Sequence, residues 1–138
     1  MFENYRKYKK MFVDKRLKIV KKLVDMGMPE QEIVDYFLYP AMSKKESGFC
    51  ILYGSDEVCH SLPKEKLNCF GCYCPYYELV VWNDGETDIT GRCAMGSEYM
   101  SIFSTATGDH ILDCSNCWFP HSEAEVKKSL KTVLRSMV

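Results

Sequence analysis

The chain has no long hydrophobic run. Its longest apolar stretches, such as Leu79 to Trp82, are far too short to cross a bilayer, so no membrane span is expected. The first residues, Met1-Phe2-Glu3-Asn4-Tyr5-Arg6-Lys7, hold no apolar signal core and no small-residue cleavage site. That argues against secretion and for a soluble, cytoplasmic protein. There is no P-loop and no dinucleotide fingerprint. No Ser/His/Asp or Cys/His set stands apart from the cysteine clusters described below. Nothing therefore points to a catalytic residue, and a binding or structural module is favoured over an enzyme. Internal repeats are missing beyond two C-x-x-C turns, and no tract is of low complexity.

What is present is bounded by size. A chain of 138 residues, 46% hydrophobic, fits one domain with a modest core and a helical appendage. So small a core often needs a staple, which a metal ion can supply. The net charge of −1 hides an asymmetry. Residues 1–22 hold nine of the 18 Lys and Arg against Glu3 and Asp14, a net charge of about +7, and the remainder is at about −8. This basic segment can cover apolar surface with its long side-chain stems. It can also meet an acidic partner, the acidic body itself, or nucleic acid.

Periodicity predicts a helix over residues 4–26, with apolar positions at Tyr5, Tyr8, Phe12, Leu17, Ile19, Val20, Leu23, Val24 and Met26. Gly27 is a natural stop in the left-handed conformation. Pro29 opens a second helix, with Glu30 and Glu32 at its positive end, ending near Tyr39-Pro40. The pair resembles the start of a helix-turn-helix, but residues 40–48 form a polar turn with no recognition helix. A helical hairpin packed on the body or a partner is expected instead, with residues 41–48 as a linker. Tyr76 to Trp82, the turn Asn83-Asp84-Gly85, and Glu86 to Thr90 read as a hairpin. Gly91 and Gly96 flank Cys93, and Thr107-Gly108-Asp109 turns the chain into Ile111-Leu112. Ser122, with Glu125 three residues on, forms a capping box for a last helix carrying Val126, Leu130, Val133, Leu134 and Met137 on one stripe.

The eight cysteines cluster. Cys69-Phe-Gly-Cys72-Tyr-Cys74-Pro75 and Cys114-Ser-Asn-Cys117 supply two C-x-x-C pairs, with His121 following. Cys50, Cys59 and Cys93 complete the set, and His60 adjoins Cys59. A C-x-x-C turn brings two thiolates to one ion, and two such turns close a tetrahedral site. Disulfides require an oxidising compartment and fit a C-x-C spacing poorly. Buried free thiols scatter and do not cluster at ligand spacing. His121 precedes a helix N-terminus, whose positive end favours neutral imidazole, a form that can ligate and equally one that needs no metal.

Leu67-Asn68-Cys69-Phe70-Gly71-Cys72-Tyr73-Cys74-Pro75-Tyr76-Tyr77 and Asp113-Cys114-Ser115-Asn116-Cys117-Trp118-Phe119-Pro120-His121, preceded by Cys59-His60, resemble the cysteine-rich small domain family. That family is regarded as a zinc-finger-like metal-binding module. Its members stand alone or, in some methanogens, are fused to a methyltransferase of the cobalamin pathway. The resemblance spans roughly residues 48–122. It implies metal ligation by Cys59, Cys69, Cys72, Cys74, Cys93, Cys114 and Cys117, with Cys50 aligned more loosely, and an anaerobe as the setting. It carries no established reaction.

The donors suffice for two four-coordinate sites. One grouping takes Cys69, Cys72, Cys114 and Cys117 together, and Cys50, Cys59, Cys74 and Cys93 as a second site, with His60 or His121 in reserve. Another places Cys74 with Cys69 and Cys72. Two zinc ions are the first expectation. A [4Fe–4S] cluster is the alternative: it takes four cysteines, Cys74-Pro75 matches the end of ferredoxin runs, and Phe70, Tyr73, Trp118 and Phe119 can shield it. A redox or sulfur- and metal-transfer role would go with it, with Cys50 or Cys93 as the exposed thiol.

The expected fold is α+β: a small metal-centred cysteine-rich body with a short antiparallel hairpin, an N-terminal helical hairpin and a C-terminal helix. Residues 1–47 form the basic helical segment and linker, and 48–138 the metal-binding domain. The expected partner is a protein, met through the basic helix. Nucleic acid is a second candidate, bound through phosphates without sequence preference.

Overall fold

The computed structural model describes residues 3–60, 62–72, 77–96, 101–114 and 117–137, with side chains from Arg6 onward. Tyr73 and Cys74-Pro75-Tyr76 lie outside the described residues. The chain divides into two compact units: Met1–Tyr73 with Trp118–Val138, and Cys74–Cys117.

The first unit is helical. Helix α1 spans Glu3–Asp25, α2 Glu30–Tyr36, α3 Tyr39–Lys45 and α4 Glu123–Ser136. Gly27, at φ 77°, ends α1 as expected. Its N–H donates to Val24 O, and the Met28 N–H reaches Leu23 O, so two terminal carbonyls of α1 are paired. The buried stripe of α1, Ile19, Val20 and Leu23, meets Ile33, Val34 and Phe37, then Met42, Phe49, Leu67 and Phe70, and finally Val126 and Leu130 of α4. Phe37 and Phe70 pack edge to face at 5.1 Å. Ser122 caps α4, its Oγ accepting from the Glu125 N–H at 3.4 Å.

The second unit is a four-stranded sheet. Strand β1 spans Tyr77–Asn83, β2 Asp88–Cys93, β3 Ser101–Ser104 and β4 His110–Asp113. Their order is β1-β2-β4-β3. The β1–β2 and β3–β4 pairs are antiparallel, whereas β2 and β4 run parallel, with Ile89 opposite His110 and Thr90 opposite Ile111. Asp84 holds the β1–β2 turn by accepting the N–H groups of Glu86 and Thr87.

This corrects the expected architecture within its α+β class. The antiparallel hairpin is one edge of a mixed sheet, because the chain returns through β3 and β4 and lays β4 alongside β2. A two-helix N-terminal hairpin does not form. Residues read as a linker become α3, since Pro40, lacking an N–H, suits a helix start. Met42 then buries completely in the core, and α2 packs against both α3 and α4.

Candidate metal centre

The Cys69–Gly71 turn is fixed by its neighbours in the first unit. The Cys69 N–H donates to Phe37 O at 2.7 Å, and the Tyr39 N–H to Leu67 O at 2.8 Å. Asn68, 1% exposed, braces the same turn from within. Its Nδ2 donates to Val34 O at 2.9 Å, and its Oδ1 accepts the Phe70 N–H at 3.0 Å. A Cβ on Gly71 would collide with the Pro120 carbonyl, so only glycine lets this turn approach the Phe119–His121 turn so closely.

That approach brings His121 to the site. His121 is buried, and its Nδ1 lies 2.7 Å from Asn68 O. A carbonyl can only accept, so Nδ1 carries the proton and Nε2 the lone pair. Burial pushes the His121 pKa below its ordinary value, a shift the Asn68 contact opposes only in part. The ring is therefore neutral at physiological pH, and a carbonyl behind Nδ1 is the usual support of a ligating histidine.

Opposite it stand Cys59 and His60. His60 Nδ1 is 3.0 Å from Cys59 Sγ, and the two imidazoles lie 4.4 Å apart, centre to centre. One donor atom from each of Cys59, His60 and His121 falls within 4.8 Å of the others, close enough to hold a metal ion. The chain from Cys50 to Cys59 is shaped by the 3-10 turn Ile51–Ser55 and by Asp56 in the left-handed region at φ 55°. The Tyr39 hydroxyl donates to Glu57 O at 2.7 Å and ties this loop to α3.

Three more thiols lie near enough to Cys59 to interact with it electrostatically. Cys50, Cys59, Cys69 and Cys72 interact electrostatically in every pairing. Burial, with the neighbouring thiols, pushes Cys59 up to about 11 and Cys69 up to about 12. Cys72 is driven well above its ordinary value by burial first and the other thiols next. Thiolates so crowded cannot ionise together without a cation, which a soft divalent metal supplies. The Tyr53 hydroxyl is buried there with no partner of hydrogen-bonding geometry, although it lies near enough to the Cys69 thiol to favour its ionised form. The donors present thus fit a thiolate- and imidazole-bound metal.

In the second unit, Cys93 ends β2 opposite Tyr77, and Cys114 follows β4 directly. The Cys117 N–H donates to Cys114 O at 2.9 Å, closing the second C-x-x-C turn. Burial, followed by Cys114 and Asp113, raises the Tyr77 phenol, which donates to Leu112 O at 3.2 Å. Cys74 lies outside the described residues.

Of the donors singled out from sequence, the fold thus gathers Cys50, Cys59, Cys69, Cys72 and His121, and draws in His60. Asn68 and Arg16, treated below, were not singled out. Asn68 had one visible signal, its place just before a C-x-x-C turn where Asn caps well.

A cleft of about 450 Å³ adjoins the site, with Val34, Leu38, Leu62 and Trp118 as apolar walls and His121 and Asn68 at its inner side. No helix among the described residues is long and apolar enough to cross a membrane. Compared with known proteins, the chain matches no family profile, no curated protein and no solved structure. What stands is a small cysteine- and histidine-containing domain, without an established zinc-finger family behind it.

Proposed function

We propose that the chain is a zinc-stabilised accessory module that acts with a protein partner. The observation that carries this is the convergence of Cys59, His60 and His121 within 4.8 Å, with the His121 tautomer fixed by its Nδ1–H bond to Asn68 O. In this reading the trio supplies three ligands of one four-coordinate site, and one of the thiols of Cys50, Cys69 and Cys72 supplies the fourth. Zinc suits mixed thiolate and imidazole donors, and closing the site adds folding free energy to a small core. Residues 48–138 carry the metal, and 1–47 form the basic segment that supports them.

A second ion belongs to the other unit. Parallel pairing puts the ends of β2 and β4 on the same side of the sheet, and the register, continued three residues beyond Thr90 and Ile111, sets Cys93 opposite Cys114. In this reading Cys93, Cys114 and Cys117, which shares a turn with Cys114, supply three ligands, and Cys74 is proposed as the fourth. We prefer this grouping to the pairing of Cys69 and Cys72 with Cys114 and Cys117 weighed from sequence.

An iron–sulfur reading is favoured by one observation, the mutual coupling of the four thiols Cys50, Cys59, Cys69 and Cys72. A [4Fe–4S] cluster would use those and leave both histidines as neighbours. A redox or sulfur-transfer role in anaerobic, cobalamin-type metabolism would accompany it.

The partner reading rests on α1. Lys7, Lys18 and Lys21 are exposed along it and can meet an acidic protein surface or, without sequence preference, phosphates.

Protein purified without oxygen and analysed for metals decides between the readings. Zinc lost on His121→Ala supports the first. A brown protein absorbing near roughly 400 nm, unchanged by His121→Ala and bleached by Cys72→Ser, supports the second. Absence of any bound metal defeats both.

A further inference from the structure

Arg16 sits in the middle of α1, outside the stretch that resembles a known family. Its Nη1 donates to Phe70 O at 2.8 Å, and its guanidinium lies over the Phe70 ring at 4.7 Å from the centroid. Phe70 is inside the turn that presents Cys69 and Cys72. Neighbouring cations of α1 are matched differently. Lys22 pairs with Glu46 at 2.8 Å near the surface, and Lys15 donates to Gly48 O at 3.0 Å.

Arg16 is part-buried, its Nε is buried without a hydrogen-bond partner, and no carboxylate pairs with it among the described residues. A buried guanidinium held only by a carbonyl and a ring is poorly compensated. A thiolate at Cys72, as in a metal-bound site, would act favourably on it. Conversely, a metal centre rich in thiolates carries net negative charge, and a fixed cation beside it offsets that charge.

We propose that Arg16 is a positioning residue of the metal centre, clamping the Cys69–Cys72 turn through the Phe70 carbonyl and balancing the charge of the metal-bound thiolates. The basic helix is then part of the site, and its mid-point cation serves the metal while the outer lysines serve a partner. This inference rests on the metal reading above.

The test uses the full-length protein and cobalt(II) alone as the probe, by competition with a chromophoric chelator. Arg16→Met is expected to weaken cobalt binding about 10-fold, within the range for groups that support metal ligands. It should also shift the sulfur-to-cobalt charge-transfer band to lower energy, because thiolates without a nearby cation give up electrons more readily. Arg16→Lys keeps the charge and should keep the band of the wild type. Lys7→Gln and Lys10→Gln should match the wild type in both readouts. If Arg16→Met is too unstable to purify, Arg16→Gln, which keeps a donor and removes the charge, reads the same quantities. Unchanged affinity and band in the charge-removing variant would overturn the inference while the metal reading stands. A wild-type chain that takes up no cobalt would overturn the metal reading itself.

Discussion

Asn68 shows how a single side chain can hold a site together without touching a ligand. It closes the distance between α2, the cysteine turn and His121 with three hydrogen bonds from one buried residue. Asn68→Ala leaves the Phe70 N–H unpaired in the interior and the Val34 carbonyl with the Phe37 N–H as its remaining donor, and should cost about 2 kcal/mol in urea unfolding. Sequence alone exposed the donors, because thiols and imidazoles at ligand spacing carry their chemistry openly. Asn68 and Arg16 stayed hidden because their partners are 34 and 54 residues away, and only packing joins them. Glu46 is a further case. Burial raises its pKa, but hydrogen bonds from Lys22 and Tyr36, at 2.8 and 2.7 Å, outweigh that and hold it below the usual 4.5. A carboxyl depressed on folding adds stability that is full above its unfolded pKa and is lost as pH falls through the folded one. The wild type should therefore lose about 1 kcal/mol more than Glu46→Gln between neutral pH and pH ~3, since the pair is partly solvent-screened. Equal pH dependence of the two proteins in chemical unfolding would contradict this.

Among the elements, the helices with strong periodicity or explicit caps were legible: α1 with Gly27 behind it, and α4 behind Ser122. Helix α3 was not, because Tyr39-Pro-Ala-Met-Ser-Lys-Lys is short and polar at its end, and its two anchors, Tyr39 and Met42, are visible only in the core. The mixed sheet was also missed. All four residues of β3 are exposed, so no alternation of apolar and polar positions marks it, and a parallel β2–β4 pair leaves no local signal. The Gly71 contact makes a prediction for the cysteine turn. Gly71→Ala must push the turn off the Pro120 carbonyl, at about 2 kcal/mol. It should also lower metal affinity, because His121 moves with that segment. A variant with wild-type unfolding and metal binding would show that the turn yields freely.

The two units each carry cysteines from separate stretches of chain, and most of the buried core lies in the first. The first joins α1, the cysteine turns and α4 around Phe37 and Phe70. The second is a small sheet with Cys93 at the end of one strand and Cys114 just past the end of its parallel neighbour. On the function proposed above, metal binding stabilises this fold and is coupled to folding. The direct measurement is thermal unfolding of the anaerobically purified chain before and after a strong zinc chelator, with metal content assayed in parallel on wild type, Cys59→Ser and His121→Ala. Bound metal, a large loss of stability on chelation that zinc restores, and reduced metal in both variants are the predicted result. A chain that holds no metal and unfolds identically with and without chelator would contradict the account.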